Sequence, residues 1–247
     1  MRNENAWVPS KYVYHRGKLI ASRNKREVQV GSRLFADINA GLFSSIIPRY
    51  AKGNLVDLGC GKVPLYGTYR KFVAGITCID WKDTLHKNEY LDFECDLSSK
   101  IPVSDNSFDT IILSDVLEHI AEPENLWKEM SRILVTGGKV ILSVPFYYSL
   151  HEVPNDYYRY TEYALKRFAQ LTRFKILYLK SIGGAPEVIA DIISKHIQRI
   201  PVFGTLLAAS MQALTLFFVK TSLGKMISEK SSRQFPFGYF LVAEKAG

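Results

Sequence analysis

Three carboxylates and two glycines fall at the ends of apolar runs, where a ligand could be held. Leu55-Val56-Asp57-Leu58 runs directly into Gly59-Cys60-Gly61, and glycines there let backbone approach a bound molecule closely at the carboxyl end of a strand. The next apolar run ends in Cys78-Ile79-Asp80, with Asp80 lying 21 residues beyond Gly59. A carboxylate so placed can accept two ribose hydroxyls. A dinucleotide fingerprint requires Gly-x-Gly-x-x-Gly, but its sixth position counted from Gly59 is Pro64. That argues against a helix N-terminus clamping a pyrophosphate, and so against NAD and FAD. A nucleoside without pyrophosphate fits better. Taken singly, each residue has a plainer use: strand-terminal Asp residues cap helices, and Gly59 or Gly61 serves a tight turn.

In order along the chain stand Asp57-Leu-Gly59-Cys-Gly61, Asp80 ending the second run, Cys95-Asp96-Leu97, Phe108 to Ser114, Val116-Leu117-Glu118-His119, and Glu129 through Gly137-Gly138 to Pro145. Together they resemble the class I S-adenosylmethionine-dependent methyltransferases, over roughly residues 50 to 180 and the last strand. The resemblance implies S-adenosylmethionine as cofactor, with Gly59 and Gly61 beneath the methionine moiety and Asp57 helping to hold its ammonium. Asp80 would take the ribose hydroxyls, Asp96 with Leu97 beside it the adenine, and Ser114 would line the methionine and substrate side. One departure is Val63, where many members carry a third glycine.

Pro145 to Thr161 holds six tyrosine or phenylalanine rings interleaved with His151, Glu152, Asp156 and Arg159. This makes a poor solvated linker and a good wall for a sugar or an aromatic acceptor. The string from His151 to Thr161 also resembles methyltransferases encoded with bacterial surface-polysaccharide and lipid-linked glycan pathways, which implies a hydroxyl on a glycan or lipid-linked sugar. Methyl transfer to a hydroxyl needs alignment and removal of a proton. His151 is the first candidate base and His119 the second, with Asp156 or Glu152 to orient the imidazole. Tyr157, Tyr158 and Arg159 would grip the acceptor. The plainer reading pairs His151 with Glu152 structurally and packs Tyr157 to Tyr160 onto the sheet. A metal site from His151, Glu152 and Asp156 matches no familiar ligand spacing, so no metal is expected. Two rival readings stand beside this one: a small aromatic or quinone-like acceptor, and a cofactor-binding recruitment module without catalysis. The base-flipping Asn-Pro-Pro-Tyr pattern is absent, which argues against nucleic acid.

The elements that must position these residues follow an alternation of strand-length and helix-period segments. Strands are expected near Asn54 to Leu58, Gly75 to Ile79, Tyr90 to Cys95, Phe108 to Leu113, Lys139 to Val144, Phe174 to Lys180 and Tyr239 to Glu244. Helices are expected over Ser32 to Tyr50, over Glu122 to Leu134 with Gly137 and Gly138 ending it, and from a Thr161 cap to Leu171. The expected fold is α/β, a Rossmann-like, seven-stranded, mostly parallel sheet flanked by helices. A hydrophobic helical insertion precedes the last strand. The divisions are 1–50, a basic N-terminal arm and helix; 51–180, the core; 181–234, the insertion; and 235–247, the final strand.

The chain has 247 residues with a formal net charge of +8 and 47% hydrophobic content, which excludes disorder, collagen and coiled coil. Six of those positive charges fall within Met1 to Arg33, suiting a phosphate-bearing or anionic partner. Cys60, Cys78 and Cys95 show no metal spacing and read as buried, reduced thiols. Ile200 to Val219 is 20 residues without a charge, about the length that spans a bilayer core. A single crossing would separate the last strand from its sheet. The compatible readings are a re-entrant hairpin, an in-plane helix, a homodimer contact, a lid or a packed subdomain. With the basic N-terminus, residues 186–226 suit peripheral contact with the inner face of the cell membrane by a cytoplasmic protein.

Overall fold

The computed structural model describes residues 1–82 and 89–247. Its centre is a seven-stranded sheet built from β3 (Asn54–Leu58), β4 (Gly75–Asp80), β5 (Phe93–Glu94), β6 (Phe108–Ser114), β7 (Leu134–Pro145), β8 (Phe174–Ile182) and β9 (Gly238–Lys245). The order across it is β5-β4-β3-β6-β7-β9-β8, with β9 antiparallel to both neighbours and the remaining pairs parallel. This is the Rossmann-like α/β architecture, with a mostly parallel seven-stranded sheet, that the alternating pattern leads one to expect. Successive side chains of a strand point to opposite faces, so Leu55 and Ile112 enter one core while Val56 and Ile111 enter the other. The helix α1 (Arg33–Tyr50) covers the first face through Phe35, Phe43 and Ile47. On the second lie α3 (Pro123–Ile133) and α4 (Glu162–Leu171), with Trp127, Met130 and Leu165 fully buried. Thr161 caps α4 by accepting from the Ala164 amide, and the short α2 (Tyr66–Tyr69) follows the turn after β3.

Three local expectations are corrected. The strand near Tyr90 to Cys95 shrinks to Phe93–Glu94, because the Asp92 carboxylate takes the Cys78 amide that a continuing ladder would have used. Gly137 and Gly138 do not end a helix. The helix stops at Ile133 and the chain goes straight into β7, where Gly137 adopts a φ of +77° as the register jumps from Phe108↔Leu134 to Thr110↔Lys139. Cys60 and Cys78 are buried free thiols, but Cys95 is only half-buried, since it follows the short strand β5 at the sheet edge.

The basic N-terminal stretch folds rather than extending as an arm. A hairpin of β1 (Tyr12–His15) and β2 (Lys18–Ala21) turns through Arg16 and Gly17, both at positive φ, as a two-residue hairpin requires. It packs on α1, with the Ala21 amide donating to Asp37 at 2.8 Å. Between β8 and β9 come α5 (Ala185–Ile197), α6 (Gly204–Phe218) and α7 (Ser222–Ser231). The uncharged run therefore holds one helix of 15 residues, α6, flanked by turns. Among the described residues no single helix is long and apolar enough to cross a membrane, and α6 and α7 meet at a bend of 96°.

These helices are anchored on the core by polar contacts at the start of α1. The Leu34 amide donates to Gln212 Oε1 at 3.0 Å and Gln212 Nε2 donates to the Gly31 carbonyl at 2.6 Å, while the Gly31 amide donates to Gln198. Gln212 is thus a cap supplied from another helix to an amide that α1 itself cannot satisfy. Gln212→Ala is expected to cost about 1–3 kcal/mol in urea unfolding, because a buried donor and a buried acceptor both lose their partner. A loss under about 0.5 kcal/mol would show that this anchor contributes little.

Candidate functional site

The carboxyl ends of β3, β4, β6 and β7 open on one edge of the sheet, beneath the segment 145–161 and beside Ser10 and Lys11. They enclose a cavity of about 690 Å³, within the range of about 300–1,000 Å³ usual for small-molecule sites. Its floor is the turn after β3. The Gly59 amide donates to the Ile79 carbonyl at 2.8 Å, and the Gly61 amide donates to Asp80 Oδ2 at 2.8 Å. Gly59 has φ +65°, and a Cβ there would sit 2.6 Å from the Val116 methyls. Val63 adopts φ +50° with its side chain fully buried. At position 63 the loop therefore follows a left-handed path suited to glycine but occupied by valine, and the Trp7 indole donates to the Val63 carbonyl at 3.0 Å.

Of the residues expected at a cofactor, Gly59, Gly61, Asp80, Asp96, Leu97 and Ser114 all line the cavity. Asp80 is 7% exposed and also accepts from the Trp81 amide. Asp96 is turned locally, accepting from the Ser98 amide at 2.8 Å. Asp57 does not reach the cavity wall. It points into the core and accepts from the Tyr69 hydroxyl at 2.9 Å.

The loop residues divide in the same way. His119, His151, Glu152 and Tyr157 line the cavity, whereas Asp156, Tyr158 and Arg159 do not. The Asp156 carboxylate is fully buried, receives two hydrogen bonds from Arg159, at 2.6 and 2.8 Å, and accepts from the His151 amide. Burial opposes its charge but is outweighed by these donors, which hold its carboxyl down at about 2. Arg159 is thereby committed to Asp156 rather than free to grip an acceptor. Tyr158 donates to the Ala121 carbonyl and Tyr160 to the Leu117 carbonyl, while the Tyr157 and Tyr158 amides donate to the Glu118 carbonyl. The loop is fastened onto the turn that follows β6, and this brings His151 edge-on to His119 with ring centroids 4.7 Å apart. Burial, with His119 beside it, lowers the His151 imidazole below its ordinary value.

Three residues of the site escaped the sequence reading. Lys11 donates to Asp115 at 2.8 Å, and Ser143 donates to the other oxygen of that carboxylate at 2.7 Å. Burial opposes the Lys11 charge, but Asp115 holds it well above its ordinary value. Glu118 is 0% exposed, and neither of its oxygens has a hydrogen-bond partner among the described residues. Burial, reinforced by Asp115, raises its carboxyl far above the usual range. The sequence signal for Glu118 was its place in the run Val116 to His119; nothing in one dimension marked Lys11.

Residues 56–142 match a family model described as a methyltransferase domain. No curated protein matches the chain in sequence. Among solved structures, the chain resembles Haemonchus contortus phosphoethanolamine N-methyltransferase 2 in complex with S-adenosyl-L-methionine, at 15% identity and TM-score 0.54, covering 91% of this chain and 59% of that one. A Haloferax volcanii complex containing the Trm112 methyltransferase activator gives 17% identity and TM-score 0.56 over 91% and 95%. The [4+2]-cyclase SpnF gives 18% identity and TM-score 0.53 over 85% and 82%. At these identities the likeness is one of fold.

Asp57 offers a test of the packing beneath the site. Burial, opposed by the Tyr69 hydrogen bond, pushes its carboxyl from 3.8 up to about 7. Between those values the folded chain holds a proton that the unfolded chain has released, so stability falls as pH rises through the window and levels off above it. Asp57→Asn keeps an acceptor for Tyr69 and does not titrate. The wild type is expected to lose several degrees of Tm relative to this variant between pH of about 4 and about 8. Parallel Tm–pH curves for the two proteins would contradict it.

Proposed function

Starting from a chain that carries an S-adenosylmethionine-dependent methyltransferase domain, we propose that it methylates a hydroxyl oxygen of a glycan or lipid-linked sugar at a membrane surface. The observation that carries this reading is the meeting, across one cavity, of the Gly59–Asp80 cradle with the paired imidazoles of His119 and His151. The residues suit the cofactor. Gly59 and Gly61 present bare backbone, and the Asp80 carboxylate at the end of β4 is placed for two hydroxyls. Bound there, S-adenosylmethionine supplies an electrophilic methyl group, and the sulfur keeps the electron pair of the breaking C–S bond. The chain then has to align the acceptor oxygen and dispose of its proton. The histidine pair is the proton-removing end of the cavity. Asp156 fixes the His151 backbone, and Tyr148 and Tyr157 supply the flat surfaces on which a sugar ring stacks.

The lipid part of the reading rests on the helices before β9. Val202, Phe203, Leu206 and Phe217 are 86%, 65%, 66% and 71% exposed, beside Arg199, Lys220 and Lys225. A surface of that composition suits an anionic bilayer, whose attraction is about 1 kcal/mol per basic residue near it.

Calorimetry with S-adenosylhomocysteine is expected to show binding by the wild type, weakened at least about 10-fold in Asp80→Ala, since a charge-assisted pair of hydrogen bonds is lost. NAD serves as the control ligand and is expected not to bind. His151→Ala is expected to retain cofactor binding and to slow methyl transfer to lipid-linked saccharide extracts by about 10²–10⁴. Equal binding by Asp80→Ala and wild type, or methylation of quinols but of no saccharide, would overturn the assignment. Sedimentation with anionic vesicles is expected to fall on Phe203→Asp or Phe217→Asp, and wild-type protein that ignores vesicles would remove the membrane from the proposal.

A further inference from the structure

Beneath the cavity mouth three ligand-type atoms point at one another with no donor among them. Glu118 Oε1 lies 3.9 Å from His119 Nε2 and 3.8 Å from His151 Nε2, and one ligand atom from each of the three residues falls within a common 4.8 Å. The other nitrogen of each imidazole identifies the tautomer. His119 Nδ1 is 2.7 Å from the Asn155 carbonyl oxygen. His151 Nδ1 faces the Ser149 carbonyl and Asp156 Oδ2, both at 3.3 Å. Those partners only accept, so each Nδ1 carries the hydrogen and each Nε2 presents a lone pair toward Glu118. Carbonyl or carboxylate partners behind the far nitrogen are what orient metal-binding histidines.

No side-chain donor lies within hydrogen-bond distance of the Glu118 carboxylate among the described residues. It is fully buried with both oxygens unpartnered among the described residues. The cations nearest the site are spoken for, Lys11 by Asp115 and Arg159 by Asp156. A buried carboxyl facing two imidazole lone pairs is satisfied by a proton or by a metal cation between them, and three convergent ligand atoms are the arrangement that admits the metal.

We propose that Glu118, His119 and His151 form a binding site for one divalent transition-metal ion, such as Zn²⁺ or Mn²⁺, that holds the acceptor oxygen. Two imidazoles and a carboxylate make a three-ligand set that leaves a coordination position open, as catalytic sites do. Imidazole donors favour a first-row transition ion over Mg²⁺ or Ca²⁺. A tetrahedral ion with bonds of about 2.1 Å sets its ligand atoms about 3.4 Å apart, so the three atoms close by roughly 0.5–1.4 Å on binding. His151, on a loop and half-buried, is the side chain free to supply that movement. The expectation of no metal came from the spacing of His151, Glu152 and Asp156, whereas the set that assembles joins His151 to residues more than 30 positions upstream.

The site's catalytic role rests on the methyl-transfer reading; its occupancy does not. Bound at the open position, the acceptor hydroxyl is acidified by the ion. With both Nε2 lone pairs on the ion, the histidines hold it and do not themselves take the proton, which passes to water; the oxygen forms the new bond to the methyl carbon, and the C–S electron pair stays with sulfur.

The test is titration of chelator-treated protein with Zn²⁺ and with Mn²⁺, followed calorimetrically, and with Co²⁺ followed by its visible absorption. One equivalent is expected to bind, with affinity falling about 10–100-fold or more in Glu118→Gln and in His151→Ala. S-adenosylhomocysteine binding should change less than about 3-fold in both, which reports an intact fold. His151→Ala, on the loop, keeps the test available should Glu118→Gln not fold. No ion bound by the wild type, or binding undiminished in His151→Ala, would overturn the site. Ion binding without methylation of any saccharide would instead leave the site standing and remove the proposed substrate. Methylation by chelator-treated protein at the untreated rate would remove the ion from catalysis.

Discussion

The close approach of Gly59 to Val116 is the contact on which the site is built. No side chain fits at Gly59, because a Cβ would lie 2.6 Å from the valine methyls. The turn after β3 can therefore slide under the turn after β6. That proximity puts the Gly61 amide on Asp80 and sets Ser114, Asp115 and Glu118 around the same cavity. Asp115 itself sits at φ +54°, and its carboxylate is held by Ser143 from the neighbouring strand. The strain of a left-handed aspartate is thus balanced by hydrogen bonds that tie the β6 turn to β7.

Everything on the acceptor side hangs from that turn. The Glu118 carbonyl accepts two amides of the 145–161 loop, and the Leu117 and Ala121 carbonyls accept tyrosine hydroxyls from it. The aromatic loop is consequently a fixed wall, and the residues first read as gripping an acceptor are largely the bolts of that wall. Asp156 and Arg159 neutralise each other in a partly buried pair, whose worth lies in holding His151 in place more than in stability of its own. The N-terminal hairpin adds the last side through Lys11. Two of the basic residues flanking it, Lys11 and Arg23, are paired with carboxylates of the core fold.

The helices between β8 and β9 show a comparable division of labour. Gln212 and Gln198 cap the start of α1, Glu187 accepts from Ser228 at 2.6 Å, and Lys195 lies 3.3 Å from the Tyr148 ring centroid. One side of the helical group is thus part of the core and touches the loop that walls the cavity. The opposite side keeps its isoleucines, leucines and phenylalanines in solvent.

Local pattern alone determined the sheet, because strand period, the Gly59-Cys60-Gly61 turn and the carboxylate ending β4 are properties of contiguous residues. The amphipathic spacing of Leu126, Trp127, Met130 and Ile133 was equally legible, since a helix repeats its buried face every three or four positions. The same holds for Thr161, whose side chain caps the helix it precedes. Tertiary structure decided the rest. Asp57 and Asp80 lie on the same face of the sheet, since Asp57 pairs with Cys78 two residues before Asp80, yet one sits inside β3 and faces Tyr69 in the core while the other ends β4 at the cavity, a difference of depth along the strands that only packing assigns. Whether a loop arginine binds a substrate or a neighbouring aspartate depends on three-dimensional proximity, as Arg159 shows. The convergence of Glu118, His119 and His151 has the same origin. No linear spacing encodes it, because the β6 turn and the loop after β7 meet only when two adjacent parallel strands deliver their carboxyl ends to the same edge of the sheet.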